Sequence, residues 1–182
     1  MPARKTAEES REALEIAALA LFRERPPSEV SVREIARRAG INHGLVQRHY
    51  GGKGGLVEAV VGRVFRSTAK VIRARMDEDP EAGVYEGLRI LMEERWIAGA
   101  LAPLVQAGEL EAIPEASMAP VLRASRGDLD DQEAVTLALI ESAVLGWMVF
   151  EPLVARGTGL SEWDEERRLR ALSRVIAKLS WG

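Results

Sequence analysis

The sequence predicts an all-α protein with about nine helices, three of them at the N-terminus and the others in the remainder of the chain. Apolar residues recur at intervals of three and four along most of the chain, which places them on one face of an α-helix. No segment alternates apolar and polar residues with an excess of β-branched side chains, so no sheet is predicted. We divide the chain into two domains, residues 1–55 and 56–182.

The composition is that of a globular protein. Of 182 residues, 47% are apolar and 29% are charged, and a chain of this length buries a core without covalent staples. Cysteine is absent, which excludes a disulfide scaffold, a thiolate metal site and a cysteine nucleophile. Glu141 and Glu151 interrupt the apolar run at 135–155, so a membrane span is not predicted there. The N-terminal residues lack the apolar segment that a signal peptide requires. We therefore expect no membrane partner, and a cytoplasmic location.

The first helix is bounded by a capping signal and a proline pair. Thr6 and Glu9 have the spacing of a capping box, in which each side chain accepts a hydrogen bond from the other residue's amide. Pro26 and Pro27 end the helix, because proline has no amide hydrogen and restricts the residue before it. The predicted buried stripe consists of Leu14, Ala17, Ala18, Leu21 and Phe22.

Two short helices follow, joined by a tight turn. Ser31 and Glu34 repeat the capping-box spacing, and Gly40 fits the left-handed residue that commonly ends a helix. Asn42 is a favourable N-cap for a third helix that runs to about Tyr50. The pair predicts a helix-turn-helix, whose second helix can enter the major groove of DNA.

The remaining helices are separated by glycine and proline. Residues 51–55, Gly-Gly-Lys-Gly-Gly, predict a flexible connection to a longer helix that ends at 77–80. This helix carries Leu56, Val60, Val61, Val64, Phe65 and Ile72. Five further helices are predicted at about 81–97, 98–108, 114–126, 131–156 and 161–180.

The third helix has two chemically different faces when its residues are set about 100° apart. The apolar and aromatic face predicted to point inward consists of Val46, His49 and Tyr50, and the outward face of Gly44, Gln47 and Arg48, flanked by His43 and Leu45. Arginine can bind a guanine edge and glutamine an adenine edge. Taken alone, this pattern is also compatible with an ordinary surface helix.

Charge is distributed unevenly along the chain. Residues 1–56 carry ten Lys/Arg and seven Glu, whereas residues 57–182 carry fifteen Lys/Arg and twenty-one Asp/Glu. A basic N-terminal part on an acidic body favours a polyanion as the partner of the N-terminal part only. Chance would explain a difference of this size equally well.

Several groups of residues occur together in an order that is specific to one family. They are IAALALF at 16–22, VSVREIARRAGINHG at 30–44, the pair His49 and Tyr50, and then Lys53 and Leu56. By these residues, segment 11–60 resembles the DNA-binding domain of TetR-type transcriptional regulators. The resemblance implies three DNA-binding helices, about six C-terminal helices for ligand and dimer contacts, and a repressor that leaves DNA when a small molecule binds.

The resemblance also implies the DNA contacts. Ser31 stands where the family caps the second helix near a phosphate, Arg48 at a base-contacting position, and Lys53 where a lysine binds phosphate. Gln47 and Leu45 depart from the pattern, which has a tyrosine and a small hydroxyl residue there, and Gly54 replaces an acidic residue. The candidate DNA-binding residues are Ser31, Arg33, Asn42, His43, Gly44, Leu45, Gln47, Arg48 and Lys53.

Large, adaptable apolar residues are concentrated in the C-terminal helices. The candidate ligand-binding residues are Met92, Trp96, Met118, Leu122, Trp147 and Phe150. Apolar spaces between helices are common ligand sites, and methionine adapts to irregular shapes. The alternative is that these residues simply form the core.

The two C-terminal helices are the predicted homodimer surface. The 131–156 helix is apolar nearly all round, and such a helix must be buried on more than one side. The 161–180 helix has an apolar stripe of Leu169, Leu172, Val175, Ile176 and Leu179. We predict a four-helix contact with a second copy, although both helices could merely cover their own core.

The predicted function is a homodimeric transcriptional repressor that binds palindromic double-stranded operator DNA and is released by a small-molecule effector. The alternative is a small-molecule-binding helical protein whose N-terminal helices contact other proteins. Residues 51–55 lack the spacing of a phosphate-binding loop, and His43 and His49 point about 240° apart around a helix, so they cannot share a metal. We expect no cofactor, no metal and no enzymatic activity.

Overall fold

The computed structural model describes residues 6–76, 78–107, 123 and 127–181. In this part of the chain all regular structure is helical, which confirms the predicted all-α class. The helices are α1 Ala7–Glu24, α2 Val32–Ala39, α3 Gly44–Tyr50, α4 Lys53–Met76, α5 Pro80–Glu93, α6 Trp96–Ala107, α7 Asp131–Thr158 and α8 Glu165–Trp181. The predicted helix at 114–126, with Met118 and Leu122, lies outside the described residues.

The described residues pack as two units. Those within Met1–Arg63 and Gly99–Pro114 form the first unit, and those within Val64–Ala98 and Glu115–Gly182 form the second. Both α4 and α6 therefore contribute residues to each unit. The division into folding domains at residue 55 stays a prediction.

The helix ends follow the capping signals of the sequence. The amide of Glu9 donates to Thr6 Oγ1 at 3.1 Å and the amide of Thr6 donates to Glu9 Oε2 at 2.7 Å, which confirms the first capping box. The second box is only half formed. Ser31 Oγ accepts from the amide of Glu34 at 3.2 Å, but the Glu34 carboxylate pairs with Arg25 instead.

Two helices begin at other residues than expected. Asn42 is not the N-cap of α3, because the helix starts at Gly44, yet Asn42 Oδ1 accepts from the Gly44 amide at 2.8 Å. The prediction of a flexible connection at 51–55 is also wrong, because α4 starts at Lys53. Gly51 and Gly52, with φ of 69° and 132°, complete the turn by themselves, and such angles are rare for other residues.

The predicted apolar stripes form the core of the first unit. All five predicted residues of α1 are buried, and so are Leu56, Val60 and Val61 of α4. Val30, Ile35 and Val46 fill the space between them, each at most 1% exposed. α2 packs against α1. The spacing of apolar residues was therefore sufficient to identify the inner faces of α1 and α4.

The second unit combines a close helix pair with an internal ion pair. A Cβ at Gly87 of α5 would lie 2.6 Å from Ile72 Cγ1 of α4, so the absence of a side chain lets the two helices approach. α8 packs against α5 and α7. Glu151 of α7 is 12% exposed and pairs with Arg95 at 3.3 Å and with Arg168 at 3.2 Å. These contacts fix one face of α7 within the unit.

The start of α4 depends on a glycine. A Cβ built on Gly55 would overlap the carbonyl oxygen of Tyr50, the last residue of α3. A Cβ on the neighbouring Gly54 would meet nothing within 4 Å. Gly55 is therefore required for the close approach of α3 and α4, whereas Gly54 is not.

We predict opposite effects on stability for two adjacent substitutions. Gly55→Ala should destabilise the protein by about 1–3 kcal/mol, because backbone must move to relieve the overlap. Gly54→Ala should stabilise it by about 0.5–1 kcal/mol, because alanine is favoured over glycine within a helix. Urea unfolding followed by circular dichroism measures both. Equal effects of the two substitutions would contradict this role of Gly55.

Candidate nucleic-acid interface

α3 presents the faces that its sequence predicts. Val46 is fully buried, and His49 and Tyr50 are half-buried. Gly44, His43, Gln47 and Arg48 are exposed, and Leu45 is half-buried beside them. With only seven residues, α3 is too short to be stable alone, so its position depends on the contacts of its inner face.

Tyr50 anchors the end of α3 to α1. Its single hydroxyl hydrogen is shared between two acceptors, the carbonyl oxygen of Arg11 at 3.0 Å and the Glu15 carboxylate at 3.1 Å. Arg11 returns a hydrogen bond from Nη2 to the carbonyl oxygen of His49 at 3.4 Å. Arg63 of α4 donates to the other oxygen of Glu15 at 3.3 Å. One cluster of side chains thereby connects α1, α3 and α4.

The environment of Tyr50 keeps its hydroxyl protonated. Burial raises the pKa of Tyr50 well above its ordinary value, and the charge and hydrogen bond of Glu15 raise it further. The charges of Arg11 and Arg63 oppose this increase in pKa only in part. The hydroxyl therefore remains a hydrogen-bond donor throughout the physiological pH range.

The arginines of α1 and α2 fall into two groups. Arg25 pairs with Glu34, and Arg38 pairs with Glu24 at 2.8 Å. In contrast, the exposed side chains of Arg33, Arg37 and Arg48 form no ion pair and no hydrogen bond with any residue that the structure describes. Their charge is not neutralised within the described part of the chain.

The exposed segment of the helix-turn-helix is strongly positive. Residues 31–53 contain five Lys/Arg and a single carboxylate, which is already paired with Arg25, giving a formal charge of +4. Arg37 was not among the candidate residues, although it lies four positions after Arg33 and so on the same face of α2. That spacing was the signal that could have identified it.

Several candidate residues make contacts within the chain. Gln47 Nε2 donates to the carbonyl oxygen of Gly51 at 3.1 Å, and Lys53 Nζ donates to that of Ser28 at 3.3 Å. Both groups retain further donors for a ligand. The hydroxyl of Ser31 caps α2 and is exposed. A role of these side chains at DNA stays a prediction.

The described ligand candidates all belong to the second unit, in different surroundings. Met92 is buried and Trp147 is half-buried. Trp96 is half-buried, and its Nε1 donates to Oε2 of Glu94 at 2.7 Å. Glu94 itself is only 1% exposed. Phe150 is 56% exposed. That these residues line one effector site stays a prediction.

Two clefts in the second unit are lined by other residues. One of about 490 Å³ lies along α8, beside Trp163, Arg167 and Arg170. Another of about 410 Å³ lies between α5 and α8, beside Tyr85 and Arg170. Among the residues that the structure describes, no group of three or more His, Cys, Asp or Glu side chains is arranged to hold a metal.

Comparison with known proteins places the helix-turn-helix in a family. The sequence model for bacterial regulatory proteins of the tetR family matches residues 16–60. The HTH-type transcriptional repressor Rv3405c of Mycobacterium tuberculosis is 32% identical over 166 residues, which cover 90% of this chain and 85% of that protein. The chain belongs to the tetR family and is a transcriptional regulator.

Solved structures share the fold. The TetR family repressor AlkX from Dietzia sp. superposes with a TM-score of 0.58 at 22% identity, over 92% of this chain and 93% of AlkX. A tetR-family regulator from Streptomyces coelicolor superposes with a TM-score of 0.62 at 22% identity, over 96% of this chain and 82% of that one. The likeness therefore extends from the helix-turn-helix to the whole helical fold.

We predict that Tyr50→Phe weakens the first unit and alters its response to alkaline pH. At neutral pH the loss of the hydroxyl's hydrogen bonds should cost about 0.5–1.5 kcal/mol. In the wild type, the raised pKa of Tyr50 contributes stability that is complete below the unfolded pKa of about 10 and is lost as pH rises further. The substitution removes this contribution.

Thermal unfolding between about pH 8 and 11 measures both effects. Tyr85→Phe is the matched control, because Tyr85 lies on α5 in the second unit and leaves the bond to Glu15 intact. The same alkaline loss of stability in the wild type and in Tyr50→Phe would contradict the anchoring role.

Proposed function

We propose that this regulator is a repressor that binds palindromic operator DNA as a homodimer, with α3 in the major groove, and that a small molecule releases it. The observation that carries the DNA-binding part is the uncompensated charge of Arg33, Arg37 and Arg48 around the exposed face of α3. A regulator of this kind acts where the chromosome is, in the bacterial cytoplasm.

Each exposed group suits a different part of the DNA. Arg48, on the outer face of α3, is suited to a guanine edge, and Gln47 to an adenine edge. Arg33 and Arg37, on α2, are placed to contact phosphates beside the groove. Gly44 has no side chain at the start of α3, which allows the helix to approach a DNA backbone closely. These assignments separate sequence readout from backbone binding.

The homodimer part of the proposal is supported by the exposed apolar residues of the last two helices. Leu139 and Leu153 of α7 are 67% and 71% exposed, and Val175 and Leu179 of α8 are exposed as well. Large apolar side chains left exposed in this number on two helices indicate an interaction site. The two half-sites of a palindrome lie one helical turn of DNA apart, about 34–36 Å, and are related by a two-fold axis. A two-fold dimer with one α3 in each chain therefore suits a palindrome.

The effector part of the proposal is supported by the buried and half-buried Met92, Trp96 and Trp147 of the second unit. Met118 and Leu122 remain candidates from the sequence alone. An effector that releases the operator must bind the free dimer more tightly than the DNA-bound dimer. Because linkage is reciprocal, it must lower operator affinity by the same factor.

We predict that Arg48→Ala weakens recognition of the operator. The operator is first isolated by selecting fragments that the wild type binds from genomic DNA at fixed salt. Loss of a bidentate base contact costs about 1–3 kcal/mol, so affinity for the selected palindrome should fall about 5- to 150-fold. Binding to random DNA should change much less, since it depends on phosphate contacts.

Arg38→Ala is the matched control for this experiment. Arg38 is an exposed arginine of the same helix-turn-helix, but it is paired with Glu24. Its removal should leave specificity intact. Equal losses for both variants, or binding by the wild type that does not weaken as salt rises, would contradict DNA recognition through α3 and favour a protein partner.

We predict that Leu139→Glu with Leu153→Glu produces a monomer. Two charges placed on the exposed face of α7 would have to be buried in the dimer without partners. Sedimentation equilibrium should show the mass of one chain, and affinity for the palindrome should fall. Ile16→Glu is the control, because Ile16 is a similarly exposed residue of α1 in the first unit. A variant that remains dimeric would exclude this face as the interface.

A further inference from the structure

The interior of the second unit contains a carboxylate. Glu94 directly follows the last residue of α5 and is 1% exposed. In the part of the chain that the structure describes, it is the one Asp, Glu, Lys or Arg residue that is buried. Removing a carboxylate from water is costly unless other groups replace its hydration. A buried glutamate at this junction therefore requires a physical reason.

One partner of Glu94 is an indole. Nε1 of Trp96, the first residue of α6, donates to Oε2 of Glu94 at 2.7 Å. An indole N–H is a neutral donor, so this hydrogen bond fixes the carboxylate in place but supplies no positive charge. Met92 and Ile97, on either side in the sequence, are buried as well. The junction of α5 and α6 thus places a carboxylate and an indole together inside the unit.

The two arginines nearest to Glu94 in the sequence are paired with other carboxylates. Arg95 pairs with Glu151 of α7 at 3.3 Å, and Arg89 pairs with the exposed Glu93 at 2.8 Å. No Lys or Arg of the second unit is buried among the residues that the structure describes. The described interior of this unit therefore offers a ligand negative charge and no positive charge.

A second buried polar group lies against α5. Thr68 of α4 is 1% exposed, and its Oγ1 is the one buried side-chain nitrogen or oxygen without a hydrogen bond among the described residues. Its methyl group faces α5, because a Cβ on Gly87 would lie 3.5 Å from Thr68 Cγ2. Glu94 comes seven residues after Gly87, about 10 Å further along the same side of α5. The polar groups on this side suit a ligand that is not uniformly apolar.

We propose that the second unit binds an organic cation, an ammonium group on an apolar body, and that Glu94 binds its charge. The effector proposed above is then a molecule of this class. A cation that enters the interior loses its own hydration, and a carboxylate that the fold has already desolvated compensates for this loss more strongly than one in water. Trp96 positions that carboxylate, and its ring favours a cation as well. The inference rests on the proposed function and specifies the chemistry of the releasing molecule.

The class of ligand can be tested with three probes that share one alkyl chain: decylammonium, 1-decanol and decanoate. Isothermal titration calorimetry at about pH 7, below micellar concentrations, measures the affinity of the wild-type protein for each. Decylammonium should bind about tenfold or more tightly than 1-decanol, because a charge-assisted hydrogen bond is added to the same apolar contact. Decanoate should bind most weakly. Equal or tighter binding of 1-decanol or decanoate, or no saturable binding of decylammonium, would overturn the proposal.

Glu94→Gln tests whether the cation is bound at this residue. The amide oxygen of glutamine can still accept from Trp96, and circular dichroism verifies that the variant is folded. Affinity for decylammonium should fall about 10- to 100-fold, while affinity for 1-decanol should not change. The matched control is Glu93→Gln, because Glu93 is the adjacent carboxylate but its side chain is 57% exposed. Equal losses in the two variants would place the cation on the surface and overturn the role of Glu94.

Release of DNA is measured separately, by fluorescence anisotropy of the selected operator fragment. Release by decylammonium, with a weaker response in Glu94→Gln, is the result expected. Release by 1-decanol or decanoate alone would leave the proposed function intact and overturn the cationic class. Selective binding of decylammonium that leaves the operator bound would overturn its role as effector and leave the cation site. The comparison of probes on the wild type does not depend on the folding of any variant.

Discussion

The position of α3 depends on one residue, Tyr50, at which three helices meet. Its hydroxyl binds Arg11 and Glu15 of α1, while its carbonyl oxygen lies where a side chain on Gly55 of α4 would be. A helix of seven residues has little stability of its own. Its orientation is therefore set by this junction and by the buried Val46. Any shift at the junction would move every exposed group of α3 together.

The charges of the first unit are divided between structure and surface. Glu15, Glu24 and Glu34 each neutralise an arginine and thereby help to hold the helices in place. The outer faces of α2 and α3 carry arginines without such partners. The net charge of the whole chain is −3, so this positive surface is a local feature. It is the distribution of carboxylates, more than the number of arginines, that produces it.

The second unit buries only one side of its longest helix. Glu151 and its two arginines fix that side, and the opposite side of α7 exposes leucines and valines. Among the residues that the structure describes, no further helix covers these leucines and valines.

The sequence by itself determined the helical class, the inner faces of α1 and α4, and both faces of α3. These features follow from local rules, since apolar spacing and caps such as Thr6 and Gly40 act within a few residues. It misplaced the start of α4, because the helical conformation of Gly54 and Gly55 follows from the approach of α3 to α4. It also missed Arg37 as an available charge.

Only the tertiary structure decided which arginines of the first unit are left without a carboxylate partner among the described residues. The sequence does not distinguish the paired arginines, which are Arg25, Arg38 and Arg63, from the unpaired Arg33 and Arg48. The paired ones lie next to carboxylates that are distant in the chain but close in space. In the same way, the sequence showed that α7 is apolar all round but not which side its own chain covers. Packing against α8 and the pairing of Glu151 settle that side, and the leucines and valines of the opposite side remain exposed.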